Sequence, residues 1–316
     1  ANNNTAVGYN SLKENTTGEG NVAVGKDAGL ANTTGSSNTF VGLDAATANT
    51  TGHSNTAVGK TALGANTTGT NNTAVGKNCL LNSTTASFNT AVGDSTLGAN
   101  TTGAENTAVG LQALDANTTG SAGVAMGVNA LTANTTGNNN TSIGYATLLA
   151  NVNGGSNTAI GYNAGYGASL NGNASGDNNT FIGFNAVGTS SSTSNVITLG
   201  NSSIQFLRCQ STSITGLSDE RDKTAIEDLP IGLDFINTLR PRKFTWAMRE
   251  PSANDGKTQT GFIAQELQAA IGSIDYTNLV LDDNPEKLEA APANLIPIIV
   301  KAIKELSAKV TALETS

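Results

Sequence analysis

The sequence predicts an N-terminal all-β unit, a repetitive and trimeric β-roll or β-helix of 17-residue coils, followed by an α+β domain that ends in a parallel three-helix coiled coil. Three observations support this division. A short motif returns at a fixed spacing over residues 1–200. The charged residues are concentrated in residues 201–316, and the last predicted helix carries a heptad pattern. The predicted boundaries are a repetitive rod at 1–188, a neck at 189–217 and a C-terminal domain at 218–316.

The repeated unit begins with Asn-Thr-Ala-Val-Gly. Its glycine recurs every 17 residues over 8–161 and, after one longer step, again between 183 and 200. A period this strict is typical of stacked coils in which each unit contacts only its neighbours. Each unit has two short apolar spots, centred in one coil on Val58 and Leu63, with Gly59 between them where the chain turns. The Asn-Thr-Thr-Gly stretch that follows favours a second turn.

The small apolar content of each coil is the reason to expect three chains. Each coil has one Val, one Leu and two or three Ala. Burying them contributes only ~5 kcal/mol of stabilisation, at ~1.5–3 kcal/mol for each large side chain. Ordering the backbone costs ~1–2 kcal/mol per residue, which is several times more. Three chains around a common axis would place the Val and Leu positions of all three in one shared core. We therefore expect a homotrimer.

Composition excludes several classes of partner. The net charge of −8 is divided evenly between residues 1–200 and 201–316, and the first arginine is Arg208, so no basic face for nucleic acid is expected. No stretch approaches the ~18 apolar residues of a membrane span, so no membrane insertion is expected. Cys79 and Cys209 are predicted to be small buried thiols rather than a disulfide. His53 stands alone and is predicted to be a solvated turn residue, so neither a metal nor a cofactor is expected.

An insertion over 151–179 lengthens one step of the repeat and predicts a surface loop. Loops on a regular scaffold often carry recognition, and aromatic side chains beside Asn and Asp suit sugar binding. The candidate receptor residues are Tyr162, Tyr166, Asn171 and Asp177. An irregular coil without a ligand is the alternative interpretation.

The residues after the rod change from repeats to mixed helix and strand patterns. The neck is predicted to cap the rod with two strands, at 204–207 and 211–217. The predicted elements of the C-terminal domain are a helix at 229–239, strands at 242–246, 258–263 and 279–281, and a short helix at 264–271. The final helix has a heptad seam formed by Ile296, Ile299, Ile303, Leu306, Val310 and Leu313. β-branched residues at a with leucine at d would by themselves favour a dimer, whereas Ile299 at d favours more strands. Because the rod is expected to be trimeric, we expect three parallel helices.

A charged stretch at the start of the C-terminal domain contains a serine and a lysine five residues apart, Ser218 and Lys223, with Asp219 and Arg221 between them. A serine hydroxyl is a weak nucleophile until a base takes its proton. A lysine can act as that base where burial or nearby cations lower its pKa. On spacing alone, a solvated charged turn is the alternative.

Three further motifs follow this stretch in order. They are Leu239-Arg-Pro-Arg-Lys-Phe-Thr-Trp246, Gly261-Phe-Ile-Ala-Gln-Glu266 and Asn294-Leu-Ile-Pro297, the last of which runs into the final helix. The four motifs together resemble the intramolecular chaperone of endosialidases and of other phage tail spikes and fibres, the S74 peptidase family. The repeats resemble the β-roll heads of trimeric autotransporter adhesins and similar repeats in phage tail fibres.

The resemblance implies a homotrimeric chaperone that assembles the preceding rod and then removes itself. It assigns Ser218 as the nucleophile and Lys223 as its base, with Asp219 and Arg221 as supporting residues. The expected cut lies between Leu217 and Ser218. The activity would be that of a self-cleaving serine endopeptidase with a single turnover and no external substrate.

The function that this resemblance implies is that of the distal part of a phage tail fibre or spike. Such a rod is assembled in the host cytoplasm, belongs to the extracellular virion tail and binds a glycan or protein receptor on the host cell surface. The alternative is a bacterial trimeric surface adhesin stalk with a non-cleaving trimerisation cap. A polysaccharide-degrading spike finds no support, because residues 1–200 hold only 12 charged residues and no recurring pair of carboxylates. A first residue inside a repeat, without Met, is typical of a fragment of a longer chain.

Overall fold

The structure is a computed structural model of the chain. It forms two compact units, Ala1–Asn201 and Ser202–Ser316. Within the described part of the chain, no helix has both the length and the apolar character needed to cross a membrane. The described residues are 2–166, 175–188, 192, 194–204, 207, 218–247, 256–282 and 288–315.

The first unit is a β-solenoid, which confirms the predicted coils of 17 residues. Among the described residues, twelve three-residue strands form one parallel sheet in which each strand pairs with the next in chain order. In one such pair Thr56 lies beside Thr73 and Val58 beside Val75. The strands are β1 Thr5–Val7, β2 Val22–Val24, β3 Thr39–Val41, β4 Thr56–Val58, β5 Thr73–Val75, β6 Thr90–Val92, β7 Thr107–Val109, β8 Val124–Met126, β9 Thr141–Ile143, β10 Thr158–Ile160, β11 Thr180–Ile182 and β12 Ile197–Leu199.

The last strand, β12, lies inside the predicted neck. It pairs with β11, so the solenoid continues to Leu199. The two strands predicted at 204–207 and 211–217 fall largely or wholly outside the described residues.

The inside of each coil is filled by its own side chains. The middle residue of a strand, such as Ala57, points inward and is fully buried, whereas Val58 at the third position faces outward. Leu63, in the turn that follows, is also fully buried in the single chain. The prediction that leucines join a core shared by three chains is therefore wrong, because the second apolar spot folds over the sheet of its own coil. The outward-facing third residues of the strands are among the apolar side chains left exposed.

Two ladders of buried asparagine side chains run along the solenoid. Just before most strands lies an asparagine such as Asn55, whose backbone N–H donates to the side-chain oxygen of the asparagine one coil earlier, with 2.9 Å between Asn55 N and Asn38 Oδ1. In the turn, Asn66 Nδ2 donates to Asn49 Oδ1 over 2.7 Å and to Gly69 O over 3.1 Å. Buried polar groups are costly unless they are paired, and these ladders supply hydrogen-bond partners for most of the asparagine side chains buried in the solenoid.

Glycines lie where successive coils come into close contact, either with the backbone or with an aromatic ring of the next coil. Gly59 has φ of +138°, and a Cβ there would lie 2.4 Å from the carbonyl oxygen of Gly76, so this column admits only glycine. Gly29 replaces the usual buried leucine of the turn, and a Cβ at Gly29 would lie 2.6 Å from the ring of Phe40 in the next coil. The ring fills the space that a leucine takes elsewhere, and Gly165 and Phe181 repeat the pairing.

The second unit contains three helices and two small antiparallel sheets among its described residues, which agrees with the predicted α+β class. The helices are α1 Leu233–Thr238, α2 Ala264–Ile271 and α3 Ile296–Glu314. The sheets pair β13 Arg242–Thr245 with β14 Thr258–Gly261, and β15 Val280–Leu281 with β16 Glu289–Ala290. Short 3₁₀ turns lie at Glu220–Asp222 and Pro292–Leu295.

Most of the predicted elements of this unit are present. Helix α2 covers the predicted residues and ends at Gly272, whose φ of +57° suits a glycine cap. Helix α1 is shorter than the predicted 229–239 and begins after Gly232, because Pro230 and Gly232 interrupt the helical pattern. Strand β16 was not predicted.

The C-terminal helix α3 has two different faces. One face packs against α1 and buries Ile298 and Ala302. Glu305 on this side accepts a hydrogen bond of 2.7 Å from the backbone N–H of Leu233, which caps the first turn of α1. A neighbouring face is the predicted heptad seam, whose six apolar side chains are exposed in the single chain: Ile296, Ile299, Ile303, Leu306, Val310 and Leu313.

Candidate functional site

The predicted serine and lysine are in contact. A 3₁₀ turn over Glu220–Asp222 brings the chain back on itself, and the N–H of Lys223 closes the turn on the carbonyl of Glu220 over 3.1 Å. The side chain of Lys223 then reaches Ser218, and its Nζ donates to Ser218 Oγ over 2.6 Å. The spacing of five residues therefore corresponds to one tight turn between the nucleophile and the base that the sequence predicts.

Asp219 and Arg221 hold this turn from its outer side. Asp219 caps the turn by accepting from the backbone N–H of Arg221 over 2.9 Å, and its carboxylate also pairs with the Arg221 guanidinium. The side-chain hydrogen bond from Arg221 lowers the pKa of Asp219, and the same bond raises the pKa of Arg221. Because the pair is exposed, its role is to fix the geometry of the turn rather than to add much stability.

The chemistry predicted for this turn is proton abstraction from a serine. Ser218 and Lys223 are both exposed in the single chain. A lysine acts as a general base only in the fraction without a proton, and burial is what raises that fraction. The single chain supplies the pair and its hydrogen bond, and burial of the pair requires another surface. Leu217, on the other side of the expected cut, lies outside the described residues.

Two of the later motifs are joined by ion pairs that the sequence analysis did not assign. Arg242 Nε donates to Glu266 Oε2 over 2.8 Å and its Nη2 contacts Glu266 Oε1, while Arg240 lies 3.4 Å from the same carboxylate. The hydrogen bond from Arg242 lowers the pKa of Glu266. The contact fastens the start of β13 to α2. Opposite charges in two motifs were the available signal, but a sequence does not say which charges meet.

The candidate receptor residues do not form one cluster. The ring of Tyr162 is stacked on both faces, by Tyr145 and by Phe184, with ring centroids 5.1 and 5.5 Å apart. Tyr166 is half-buried. Asp177 accepts from the N–H of Gly155 over 2.6 Å and so joins two coils. Asn171 lies outside the described residues, and the predicted receptor role of all four residues stays a prediction.

The aromatic stack was missed by the sequence analysis. Tyr145, Tyr162 and Phe184 each follow the glycine that ends a strand, so they occupy the same position in three consecutive coils. Alignment of the repeats contained this signal. A stack of this kind covers the ring faces that a sugar would need.

Other chemistry is sparse. Among the residues that the structure describes, no group of three or more His, Cys, Asp or Glu side chains is placed to hold a metal ion. Cys79 is a buried free thiol that forms no disulfide, and its Sγ donates to the carbonyl of Ala91 over 3.1 Å. Burial raises the pKa of this thiol to about 12. His53 is exposed, and Cys209 lies outside the described residues.

Fold and site define a repetitive β-solenoid followed by an α+β domain that opens with a serine–lysine turn. The model of the Peptidase S74 family, described as chaperone of endosialidase, matches residues 218–281. The match covers about a fifth of the chain and confirms the family resemblance over those residues. It begins at Ser218 and ends before α3. Comparisons with curated proteins and with solved structures gave no match.

Proposed function

We propose that this chain is the distal part of a phage tail fibre or spike. In this proposal the solenoid is a host-attachment rod, three chains assemble through the C-terminal domain, and that domain then cuts itself off between Leu217 and Ser218. The observation that carries the proposal is the contact of 2.6 Å between Lys223 Nζ and Ser218 Oγ at the first residue of the S74 match.

In the proposed cleavage, the hydroxyl of Ser218 attacks the peptide bond that joins it to Leu217. Lys223 takes the proton from Ser218 Oγ, and the oxygen attacks the carbonyl carbon of Leu217. The peptide C–N bond breaks as the nitrogen of Ser218 gains the proton, which leaves an ester between Leu217 and Ser218 Oγ. Water hydrolyses the ester and releases a Leu217 carboxylate and a C-terminal fragment that begins with Ser218. Each chain can do this once.

The exposed heptad seam of α3 supports three chains. Leu306 and Val310 are half-exposed and Leu313 is more exposed still, although apolar seams of this spacing are buried in coiled coils. The same helix is anchored on its other face by Ile298 and Ala302. A parallel bundle of three such helices would bury the seam without disturbing that packing.

The outer face of the solenoid supports the same assembly. The third residue of every strand is apolar and faces outward, from Val7 in β1 to Leu199 in β12. We call this row the outer strand column. A continuous apolar column along one face is typical of an interaction surface. Association of three solenoids along this column would also bury the apolar side chains that a single solenoid leaves exposed.

Assembly before cleavage has a physical reason. Repetitive chains can pair in many registers, because a shift by one coil looks the same. Trimerisation at the C-terminal domain sets the number of chains and the register before the rods associate. Burial of Ser218 and Lys223 in the assembled trimer would favour the unprotonated lysine, so the cut would follow assembly. Loss of the chaperone then leaves the rod kinetically trapped.

The test is a denaturing gel and an intact mass measurement of the purified chain. Wild type should release a fragment whose N-terminus is Ser218, and Ser218→Ala and Lys223→Ala should not. The matched controls are Ser273→Ala and Lys257→Ala, which change an exposed serine and an exposed lysine elsewhere in the domain and should leave release unchanged.

The outcomes separate the two functions that the sequence leaves open. Release from the wild type that Ser218→Ala abolishes supports the proposed self-cleavage. A native mass of three uncut wild-type chains would instead favour the adhesin stalk with a non-cleaving trimerisation cap. A monomeric native mass would overturn the trimer in both.

A further inference from the structure

We propose that coils eight to eleven of the solenoid, which carry β8 to β11, form the main contact between protomers, so that lateral association of the rods is anchored at the end nearest in sequence to the C-terminal domain. This inference rests on the trimer proposed above. The partner is a second copy of this chain, and the contact is an apolar ledge made of two neighbouring columns of side chains.

The first column becomes bulkier along the chain. The outer strand column carries valine in the first seven strands, for example Val58, Val75 and Val92. From β8 onward the same position holds larger side chains, namely Met126, Ile143, Ile160, Ile182 and Leu199, and all five are exposed. Larger apolar side chains on one face increase the area that association removes from water.

The second column changes from charged to apolar over the same coils. It consists of the residue that follows the glycine after each strand, and we call it the corner column. In coils one to six it holds four exposed charges, Lys26, Lys60, Lys77 and Asp94, beside the exposed Tyr9 and Leu43 of coils one and three. In coils seven to eleven it is apolar throughout: Leu111, Val128, Tyr145, Tyr162 and Phe184. Two independent positions of the repeat therefore change in the same direction in neighbouring coils, the corner column from coil seven and the outer strand column from coil eight.

The size of this ledge fits a protein partner. Its side chains are roughly half-exposed, at 47% for Tyr145, 48% for Tyr162 and 59% for Phe184. With the neighbouring apolar residues of both columns, the exposed area is on the order of 800 Å², above the few hundred Å² of an ordinary apolar surface patch. A stable interface buries ~800 Å² on each partner.

The stacking within the ledge favours a second copy over a glycan. Tyr162 has both ring faces covered, by Tyr145 and by Phe184. The remaining exposed surface is the outer edge of the stack. Its residues lie two positions after the outer strand residues of the same coils. A flat apolar edge of this kind suits packing against the same surface of a neighbouring chain.

The test is hydroxyl-radical footprinting of the full chain, read by mass spectrometry, on the native assembly and on chains dissociated in denaturant. Phe88 is the internal reference, because it is 60% exposed and lies in a loop outside both columns. We expect labelling of Tyr145, Tyr162 and Phe184, relative to Phe88, to fall at least fivefold in the trimer. Labelling within twofold of the dissociated chains in a confirmed trimer would overturn this inference alone.

A pair of matched triple variants gives a second measurement. Replacing Tyr145, Tyr162 and Phe184 by serine should lower the guanidinium concentration at which the trimer dissociates. The same replacement of Lys26, Lys60 and Lys77 should not. Equal effects of the two triple variants would overturn the proposed anchor, and a monomeric wild type would overturn the trimer and this inference together. If the first variant does not fold, the footprinting of the wild type decides.

Discussion

Completing the interrupted asparagine ladder of the turns should stabilise the solenoid. The ladder stops at Ser83, where Asn66 Oδ1 and Ser83 Oγ are buried without a hydrogen-bond partner in the described part of the chain. This coil also has Ala86 where its neighbours have glycine. At Gly69, one coil earlier, a Cβ would lie 2.4 Å from Asn66 Oδ1. Ser83 is therefore the short side chain that an alanine at position 86 requires.

The expected magnitudes follow from this coupling. Ser83→Asn alone should destabilise the coil by ~1–3 kcal/mol through overpacking against Ala86. Ser83→Asn with Ala86→Gly lets the new amide donate to Asn66 and accept from Asn100, and each buried hydrogen bond contributes ~1 kcal/mol. The added glycine costs ~0.5–1 kcal/mol. The double variant should therefore be about 1 kcal/mol more stable than wild type, with a strong coupling between the two changes.

The assay is hydrogen exchange of the strand amides over residues 72–92. Exchange reports local opening, which suits a solenoid whose coils contact only their neighbours. The double variant should slow exchange by roughly fivefold to tenfold, since about 1.4 kcal/mol corresponds to tenfold. Ser83→Asn alone should accelerate it. Greater protection in that single variant, or additive effects of the two changes, would refute the proposed clash.

Three further results are expected. Because Arg242 lowers the folded-state pKa of Glu266, this carboxylate contributes stability above its unfolded pKa of ~4.3, and the contribution is lost as pH falls through the folded pKa. Acid thermal melts of Glu266→Gln should therefore show less of this loss. Cys79, with its pKa raised to about 12 by burial, should react with iodoacetamide far more slowly in folded than in denatured protein at pH near 8. Glu305→Ala should destabilise the C-terminal unit by about 1 kcal/mol, because the cap on Leu233 is lost, and should therefore lower its denaturant midpoint.

Each of these results has its own control. Glu227→Gln changes an exposed carboxylate and should keep the acid profile of the wild type. Peptide mapping separates Cys79 from the second cysteine, and rapid labelling of Cys79 in folded protein would contradict its burial. Glu314→Ala alters the exposed end of α3 and should leave the midpoint unchanged. A midpoint for Glu305→Ala equal to that of Glu314→Ala would show that the cap adds no stability.

The 17-residue period predicted much of the solenoid. A glycine that recurs at one spacing fixes where each strand ends, and the three residues before Gly59 are the strand β4. The serine–lysine pair was assigned from the family resemblance, because spacing alone left a solvated charged turn as the alternative, and the five residues close one tight turn. Local sequence carries this information, since the strand, the turn and the cap each involve neighbours along the chain.

The parts that were not predicted depend on contacts between distant residues. Spacing located Leu63 but did not say that its turn folds over its own coil and buries it. The replacement of a leucine by the ring of Phe40 needs two coils to be superimposed before Gly29 becomes informative. Likewise, the partner of Glu266 lies 24 residues away on another element. Tertiary packing decides such pairs, and no short motif encodes them.

The hydrogen bonds between successive coils have a consequence for the evolution of length. Since Thr56 pairs with Thr73 and Thr73 with Thr90, removing one whole coil would join equivalent residues and keep both asparagine ladders and the glycine column aligned. Each coil gained or lost would change the reach of the solenoid by ~4.8 Å, the spacing of neighbouring strands. A deletion one residue longer or shorter than a whole coil would instead turn buried side chains to the surface. The solenoid can therefore gain or lose whole coils during evolution, and its length can change without any change in the contacts within each coil.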